Sequence, residues 1–226
     1  MRLICLPILA LTLLSSTASI HAQSLLRITE VMSSSGTGGT PDWFEITNLG
    51  NQSQSITGWK MDDNSFTLAS SVNLSGISSI AAGESVVFIE DTGGANLTNF
   101  RNYWGGLSGI QVGYYGGSGV GLSSGGDGVV VFDGTSEMNR VSFGAATTGV
   151  SFNFGYDASG LLNTPTDTLS TIGTYGVFNV NTTYGTGTTP LSNTGSPGAI
   201  PEPSSASLML LGFSGLLTLR RLSRKS

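Results

Sequence analysis

The chain of 226 residues has one Cys, one His and two Lys, and its charged side chains amount to 10%, where a soluble domain ordinarily carries about 25%. So few Lys and Glu leave little material for solvent-facing helices. No amphipathic stretch of ten or more residues competes with the strand-like segments of the chain. Gly (33), Ser (33) and Thr (25) fill the gap, a mixture that favours strands joined by turns. Ten Phe, six Tyr and three Trp supply enough apolar surface for a core, which argues against a disordered chain.

The single Cys and His are excluded from any mature site by where they stand. Residues 1–22 begin with Arg2, continue through the apolar run LICLPILALTLL and close on Ile20, His21 and Ala22. This reads as a secretory signal peptide for signal peptidase, cut after Ala22 or, alternatively, after Ala18. A retained anchor would need about 20 apolar residues. Cys5 and His21 leave with the leader, and cleavage after Ala18 would keep His21 only as a terminal residue. Without them the exported domain has no disulfide, no Ser-His-Asp or Cys-His nucleophile and no ordinary zinc site. It is expected to hold together by core packing alone.

Charge divides unevenly along the chain. Residues 201–226 carry Arg220, Arg221, Arg224 and Lys225 behind an apolar stretch over 205–219, whereas residues 23–200 hold four basic residues (Arg27, Lys60, Arg101, Arg140) against thirteen acids. A central domain at about −9 with no cationic cluster excludes a nucleic-acid partner, which requires grouped Lys and Arg. The tail reads as a transmembrane helix over 205–219. Its fifteen residues are short for a bilayer core of about 30 Å. The positive-inside rule puts the basic cluster in the cytoplasm and residues 23–200 on the far side.

Pro201-Glu202-Pro203, the apolar segment and the basic cluster opening with Arg220-Arg221 come one after another in that order. This tail resembles the PEP-CTERM sorting signal of Gram-negative bacteria. The resemblance implies processing by an exosortase near the motif, in cells that often make exopolysaccharide. The protein would be held briefly by its C-terminal segment and then released or attached at the cell surface. A plain anchor that is never cleaved would use the same residues.

Period-two segments recur between turn residues at 25–31, 43–47, 55–61, 85–89, 129–132, 139–143, 150–154 and 175–180. Short strands at this spacing predict an all-β fold, an antiparallel sandwich or barrel. Asp133-Gly134 predicts a hairpin between the fifth and sixth of them. Trp43, Phe44, Trp59, Phe66, Phe88 and Phe132 are the expected core. Alternation sets Phe44 and Ile46 on one face and Trp43 and Glu45 on the other. One of the two aromatics at 43 and 44 is therefore expected to pack at the rim under a loop, or to stand exposed as a binding aromatic.

Several of these segments resemble the lamin tail domain family, an immunoglobulin-like β-sandwich found on many exported bacterial proteins. The opening strand Ile28-Thr29-Glu30-Val31-Met32, the run Pro41-Asp42-Trp43-Phe44-Glu45-Ile46-Thr47-Asn48, and Ile56-Thr57-Gly58-Trp59-Lys60-Met61-Asp62-Asp63 are similar to its first three strands. Residues 80–88 resemble its Gly turn and next core strand, residues 122–133 the later hairpin, and Gly195-Ser196-Pro197-Gly198 the exit. Residues 98–126 form a Gly/Tyr-rich insertion, and residues 145–195 match poorly. The resemblance implies an antiparallel immunoglobulin-like sandwich over 23–200 and a non-enzymatic module.

Carboxylates are the chemistry that survives. Glu30, Asp42, Glu45 and Glu90 are the candidates for a pair that could serve a glycan-active enzyme. Asp62, Asp63, Glu90 and Asp91, with neighbouring Asn64 and Thr92, offer oxygen ligands of the kind calcium takes, although no EF-hand spacing is present, and turn-closing acids use the same residues. Tyr103, Trp104, Tyr114 and Tyr115 in the insertion are the candidate ligand-contact aromatics for an exopolysaccharide or a surface protein, since aromatics stack on sugar rings. No cofactor is expected. A purely structural envelope component with no ligand is the remaining alternative.

Overall fold

The computed structural model describes residues 25–199 except 37, 38, 118 and 158. The expected signal peptide, the Pro201-Glu202-Pro203 motif, the segment 205–219 and the basic cluster lie outside the described residues. Among the described residues no helix is long and apolar enough to cross a membrane.

Alternating apolar residues between turns give, in chain order, β1 (Leu26–Met32), β2 (Trp43–Asn48), β3 (Gln54–Ser55), β4 (Lys60–Asp62), β5 (Val72–Asn73), β6 (Ser79–Ile80), β7 (Ser85–Glu90), α1 (Leu97–Tyr103), β8 (Val112–Tyr115), β9 (Asp127–Phe132), β10 (Glu137–Phe143), β11 (Phe152–Asn153), β12 (Phe178–Thr182) and β13 (Leu191–Gly195). They assemble into a five-stranded sheet β11-β1-β2-β7-β8, a four-stranded sheet β10-β9-β4-β5, and the two ribbons β12-β13 and β3-β6. The fold is all-β, as expected, but not wholly antiparallel: β7 and β8 run parallel. A parallel neighbour requires a crossover, and the segment carrying α1 provides it. The stretch at 98–126 therefore contributes a helix and an edge strand.

Three expected strands are shorter than their patterns, the 150–154 segment keeping only β11, Phe152–Asn153. The 55–61 segment is broken at Thr57-Gly58, where Gly58 has φ 81 and the Trp59 N–H bonds back to the Ile56 carbonyl at 3.1 Å. Residues 175–177 belong to a turn, with the Val177 N–H on the Thr174 carbonyl at 2.8 Å, so β12 starts only at Phe178. The expected hairpin joins β9 to β10, and the Asp133 carboxylate closes its turn by accepting from the Thr135 and Ser136 amides at 2.9 and 2.8 Å.

The two large sheets enclose one core built from Ile28, Val31, Phe44, Ile46 and Phe88 on one side and Met61, Val129, Val131, Val141 and Phe143 on the other. The outer face of the five-stranded sheet is covered too. Met32, Trp43, Val87 and Ile89 meet Phe100, Tyr103 and Trp104 from the α1 region, with Phe178, Val180 and Leu191 of the β12-β13 ribbon packed against them. Trp43 lies edge-on to Phe100 and Trp104, with ring centres 6.1 and 5.8 Å away. Both Trp43 and Phe44 are thus wholly buried, on opposite faces of β2. Trp59, Phe88 and Phe132 are buried as expected. Phe66 is only half-buried and sits under the Arg140 guanidinium, 5.3 Å from its ring centre. Gly128 has no side chain because the Phe66 ring occupies the space that a Cβ would take.

Candidate functional site

Four carboxylates on adjacent strands of the five-stranded sheet form two pairs with opposite fates. β1 and β2 are in register so that Glu30 stands opposite Glu45, after an irregularity at Thr29 that re-aims the β1 side chains. Both point to the outer face, beneath the segment that leaves β13, and are 0% and 2% exposed. Glu30 Oε1 accepts from the Ser196 N–H at 2.8 Å and from the Ser151 and Ser170 hydroxyls, while Oε2 accepts from the Ser196 hydroxyl at 2.8 Å. Glu45 Oε2 accepts from the Gly198 N–H at 2.7 Å, and its Oε1 meets the Thr29 and Thr47 hydroxyls.

Burial pushes both glutamates up, because a charged carboxylate is poorly solvated there. Glu45 is raised to about 8 by burial first and the Glu30 charge second, against the bonds from Thr29, Gly198 and Thr47. Glu30 is raised by burial, opposed by the Ser151, Ser196 and Ser170 bonds. Four donors converge on Glu30 and offset part of the cost of burying it. Glu45 keeps its proton at neutral pH. No substrate reaches either group, so the pair ties the chain's exit to the sheet.

The second pair lies at the far end of β2 and β7. Asp42 precedes β2, its carbonyl accepts the Glu90 N–H at 2.7 Å, and Glu90 is aligned in turn with Tyr115 on β8. Asp42 is raised to about 7, by burial first and the Glu90 charge second. Glu90 is raised by burial. Glu90 lines two open depressions, of about 720 and 670 Å³, which share Gly39 and Thr40. The first is completed by Asp91, Thr92, Asn96 and Tyr184, the second by Asp42, Ser124, Thr148 and the 33–36 loop. Hydroxyls, amides and carboxylates dominate the walls, with no basic residue among the described residues that line them. Among the described residues the buried hydroxyls of Tyr184 and Tyr115 have no hydrogen-bond partner. The Tyr115 phenol is pushed well above its usual range by burial and then by the charges of Glu90 and Asp42.

The candidate calcium acids are not gathered into one place. Asp62 on β4 is fully buried and accepts from the Thr67 N–H at 2.8 Å and the Ser65 hydroxyl. Asp63 accepts from the Ser65 N–H at 3.3 Å. Asp91 receives the Asn96 N–H at 2.8 Å, closing the loop into α1. These acids shape turns, and among the described residues no group of three or more acidic side chains is placed to hold a metal.

The candidate contact aromatics require a correction. Tyr103 and Trp104 are 2% exposed and Tyr115 is 0% exposed, while Tyr114 is half-buried. Trp104 packs edge-on against Trp43, Tyr103 and Phe178. A ring enclosed in this way offers no face to a sugar. Tyr184, at the wall of the first depression, was not marked by the sequence pattern. Its signal was faint: one aromatic in a run of Thr and Gly.

Two sheets with a shared core and a Trp-lined outer layer make an immunoglobulin-like β-sandwich. The model of the Lamin Tail Domain family matches residues 19–145, more than half of the chain. The chain belongs to the lamin tail domain family. No curated protein sequence matches it. The segments β11, β12 and β13 lie beyond the matched residues, so the tie between Glu30 and Ser196 joins the matched region to the C-terminal strands.

Proposed function

We propose that this protein is a non-enzymatic, exported surface or matrix module that binds polysaccharide, or a surface protein, through the hydroxyl-rich depressions on either side of Glu90. Residues 1–22 take it across the inner membrane, 205–219 hold it there, and an exosortase reads Pro201-Glu202-Pro203. The observation that carries the binding role is the placement of Glu90 and Tyr184 on a wide, open wall of Ser, Thr and amide groups. Such groups exchange hydrogen bonds with a polyhydroxylated ligand, and an aromatic beside them can pack on a sugar face. Glu30 and Glu45, the other paired acids, are sealed and accept protein donors.

Retention on immobilised exopolysaccharide from the producing cells tests the binding role. The parent protein is retained, and Glu90→Gln with Tyr184→Ala loses most of that retention. A parent that runs through unretarded removes the polysaccharide from the reading. Intact mass of the surface form tests the tail: loss of 205–226 supports exosortase processing, and a mass that includes them contradicts it.

One observation favours a second reading, a carboxylate-dependent glycan-active enzyme: Asp42, held near 7, lines a depression beside Glu90. An acid that keeps its proton near neutrality beside a carboxylate is the pairing glycoside hydrolysis uses. Failure to release reducing ends from the same polysaccharide between pH 5 and pH 8 disposes of it.

A further inference from the structure

All the exposed large apolar side chains among the described residues fall in one stretch: Leu161 (67% exposed), Leu162 (38%), Leu169 (37%), Ile172 (63%) and Tyr175 (52%). Isolated surface leucines need no explanation, but five in fifteen residues are a concentration that does. Tyr175 is also held at φ 49, a backbone conformation that side chains other than Gly seldom adopt. The stretch runs along the free side of β11: Leu169 is bridged to Phe152, opposite Val31 and towards Asp42, whereas Leu162 is bridged to Tyr156, whose hydroxyl bonds the Ile28 carbonyl nearer the Leu26 end.

Three contacts fix where Leu161 and Tyr175 sit. Arg27 Nε donates to the Gly160 carbonyl at 2.7 Å, which places Leu161 at the Leu26 end of β1. Gly176, next to Tyr175, abuts Ala199, where an added Cβ would stand 2.8 Å from the Ala199 Cβ. The Ala199 carbonyl accepts from the Ser85 hydroxyl at 3.0 Å, and Ser85 is aligned with Thr47, itself opposite Arg27. Leu161, Tyr175 and the last described residue therefore share one end of the sheet. Asp42 and Glu90 mark the other end, about 17 Å away along β2 at roughly 3.3 Å per residue.

From Ala199 the chain takes six steps to Ser205, the start of the apolar segment. Even fully extended, six residues span at most about 22 Å. If 205–219 enters a bilayer, the end of the domain that carries Leu161 and Tyr175 cannot stand further from it than that. Resting on the headgroup layer would remove these side chains from water at no cost in tether length.

We infer that Leu161, Leu162, Ile172 and Tyr175 form a lipid-contact surface that seats the domain on the bilayer beside its own C-terminal segment, with the Glu90 depressions directed away. This rests on the membrane reading of the tail. Apolar burial supplies the attraction, because a domain at about −9 is repelled by anionic headgroups.

The absence of cysteine after the leader makes the test direct. Full-length chains carrying Cys5→Ser and one of Leu161→Cys, Tyr175→Cys or the control Ser124→Cys are labelled with an environment-sensitive dye and reconstituted into phosphatidylcholine vesicles containing nitroxide-labelled lipid. Emission at 161 and 175 is expected to shift to the blue and to be quenched at least twofold by the nitroxide, while 124, beside Asp42, stays water-like. Vesicle-bound protein with water-like emission at 161 and 175 overturns the inference alone. A blue shift without quenching means that protein covers these positions and also overturns it. Chains that do not float with vesicles overturn the anchor reading, and this inference with it.

Discussion

Glu30 on β1 faces Glu45 on β2, and the turn after β13 closes over both: the Ser196 N–H bonds Glu30 at 2.8 Å and the Gly198 N–H bonds Glu45 at 2.7 Å. Two buried acids thereby join the first strand pair of the fold to its last described residues. The Gly198 N–H is the donor to Glu45 Oε2, whereas Glu30 Oε1 shares the Ser196 N–H with two hydroxyls, so loss of the Gly198 contact strands a buried oxygen, which is costly.

Stability should fall as pH rises. The folded-state value of Glu45, about 8, lies above its ordinary value of 4.5, and Glu30 is shifted the same way. The contribution of the protonated form is complete below about pH 4.5 and is lost progressively as pH rises towards 8, on the order of a few kcal/mol. Thermal melts at pH 5 and pH 9 should show the lower Tm at pH 9. Glu45→Gln should narrow that difference, and an unchanged gap would show that the titration lies elsewhere.

Gly195 and Ser196 should be intolerant of small changes. A Cβ on Gly195 would stand 2.9 Å from Glu30 Oε1 and 3.3 Å from the Trp104 ring. Ser196→Ala deletes the hydroxyl on Glu30 Oε2 and should cost about 1–3 kcal/mol. In denaturant titrations variants at both positions should unfold earlier than the parent, with faster amide exchange over 191–199.

Trp104→Ala should act on stability, by about 3–5 kcal/mol, because its ring is shared by Trp43, Tyr103 and Phe178. Tyr114→Ala, at a half-buried position, should cost less, about 1–2 kcal/mol. Equal midpoints for the two variants in chemical denaturation would contradict the outer-layer packing.

Glu90→Gln should lower the Asp42 midpoint from about 7, since the Glu90 charge is the second cause of its elevation. Burial, the larger cause, remains, so the midpoint should stay above the ordinary 3.8. Carboxyl carbon chemical shifts measured against pH read this directly, and an unmoved Asp42 would separate the two acids.

Alternation in 25–31, 43–47, 85–89, 129–132 and 139–143 was sufficient to locate β1, β2, β7, β9 and β10, because each strand must present a dry side and register is then forced. Glu30 and Glu45 were also legible as exceptional: acids in the middle of otherwise apolar strands, at positions similar to those of the lamin tail domain family. Their donors were not. Ser151, Ser170 and Ser196 are three among 33 serines, the last of them 166 residues from Glu30. Tyr103, Trp104 and Tyr115 misled for a related reason. A Gly-rich neighbourhood marks turns, but it does not tell whether the ring between two turns faces water or a second layer.

Residues 23–200 were readable as an all-β domain with no Cys or His and about −9 of charge, because composition and period-two patterning act locally and need no knowledge of the fold. Which side of β2 faces which layer, which carboxylates are sealed, and that Leu161, Tyr175 and Ala199 share one end of the sheet follow only from the folded chain. Those depend on contacts between residues far apart in the chain, where burial turns identical Glu side chains into a latch at positions 30 and 45 and an open wall at position 90.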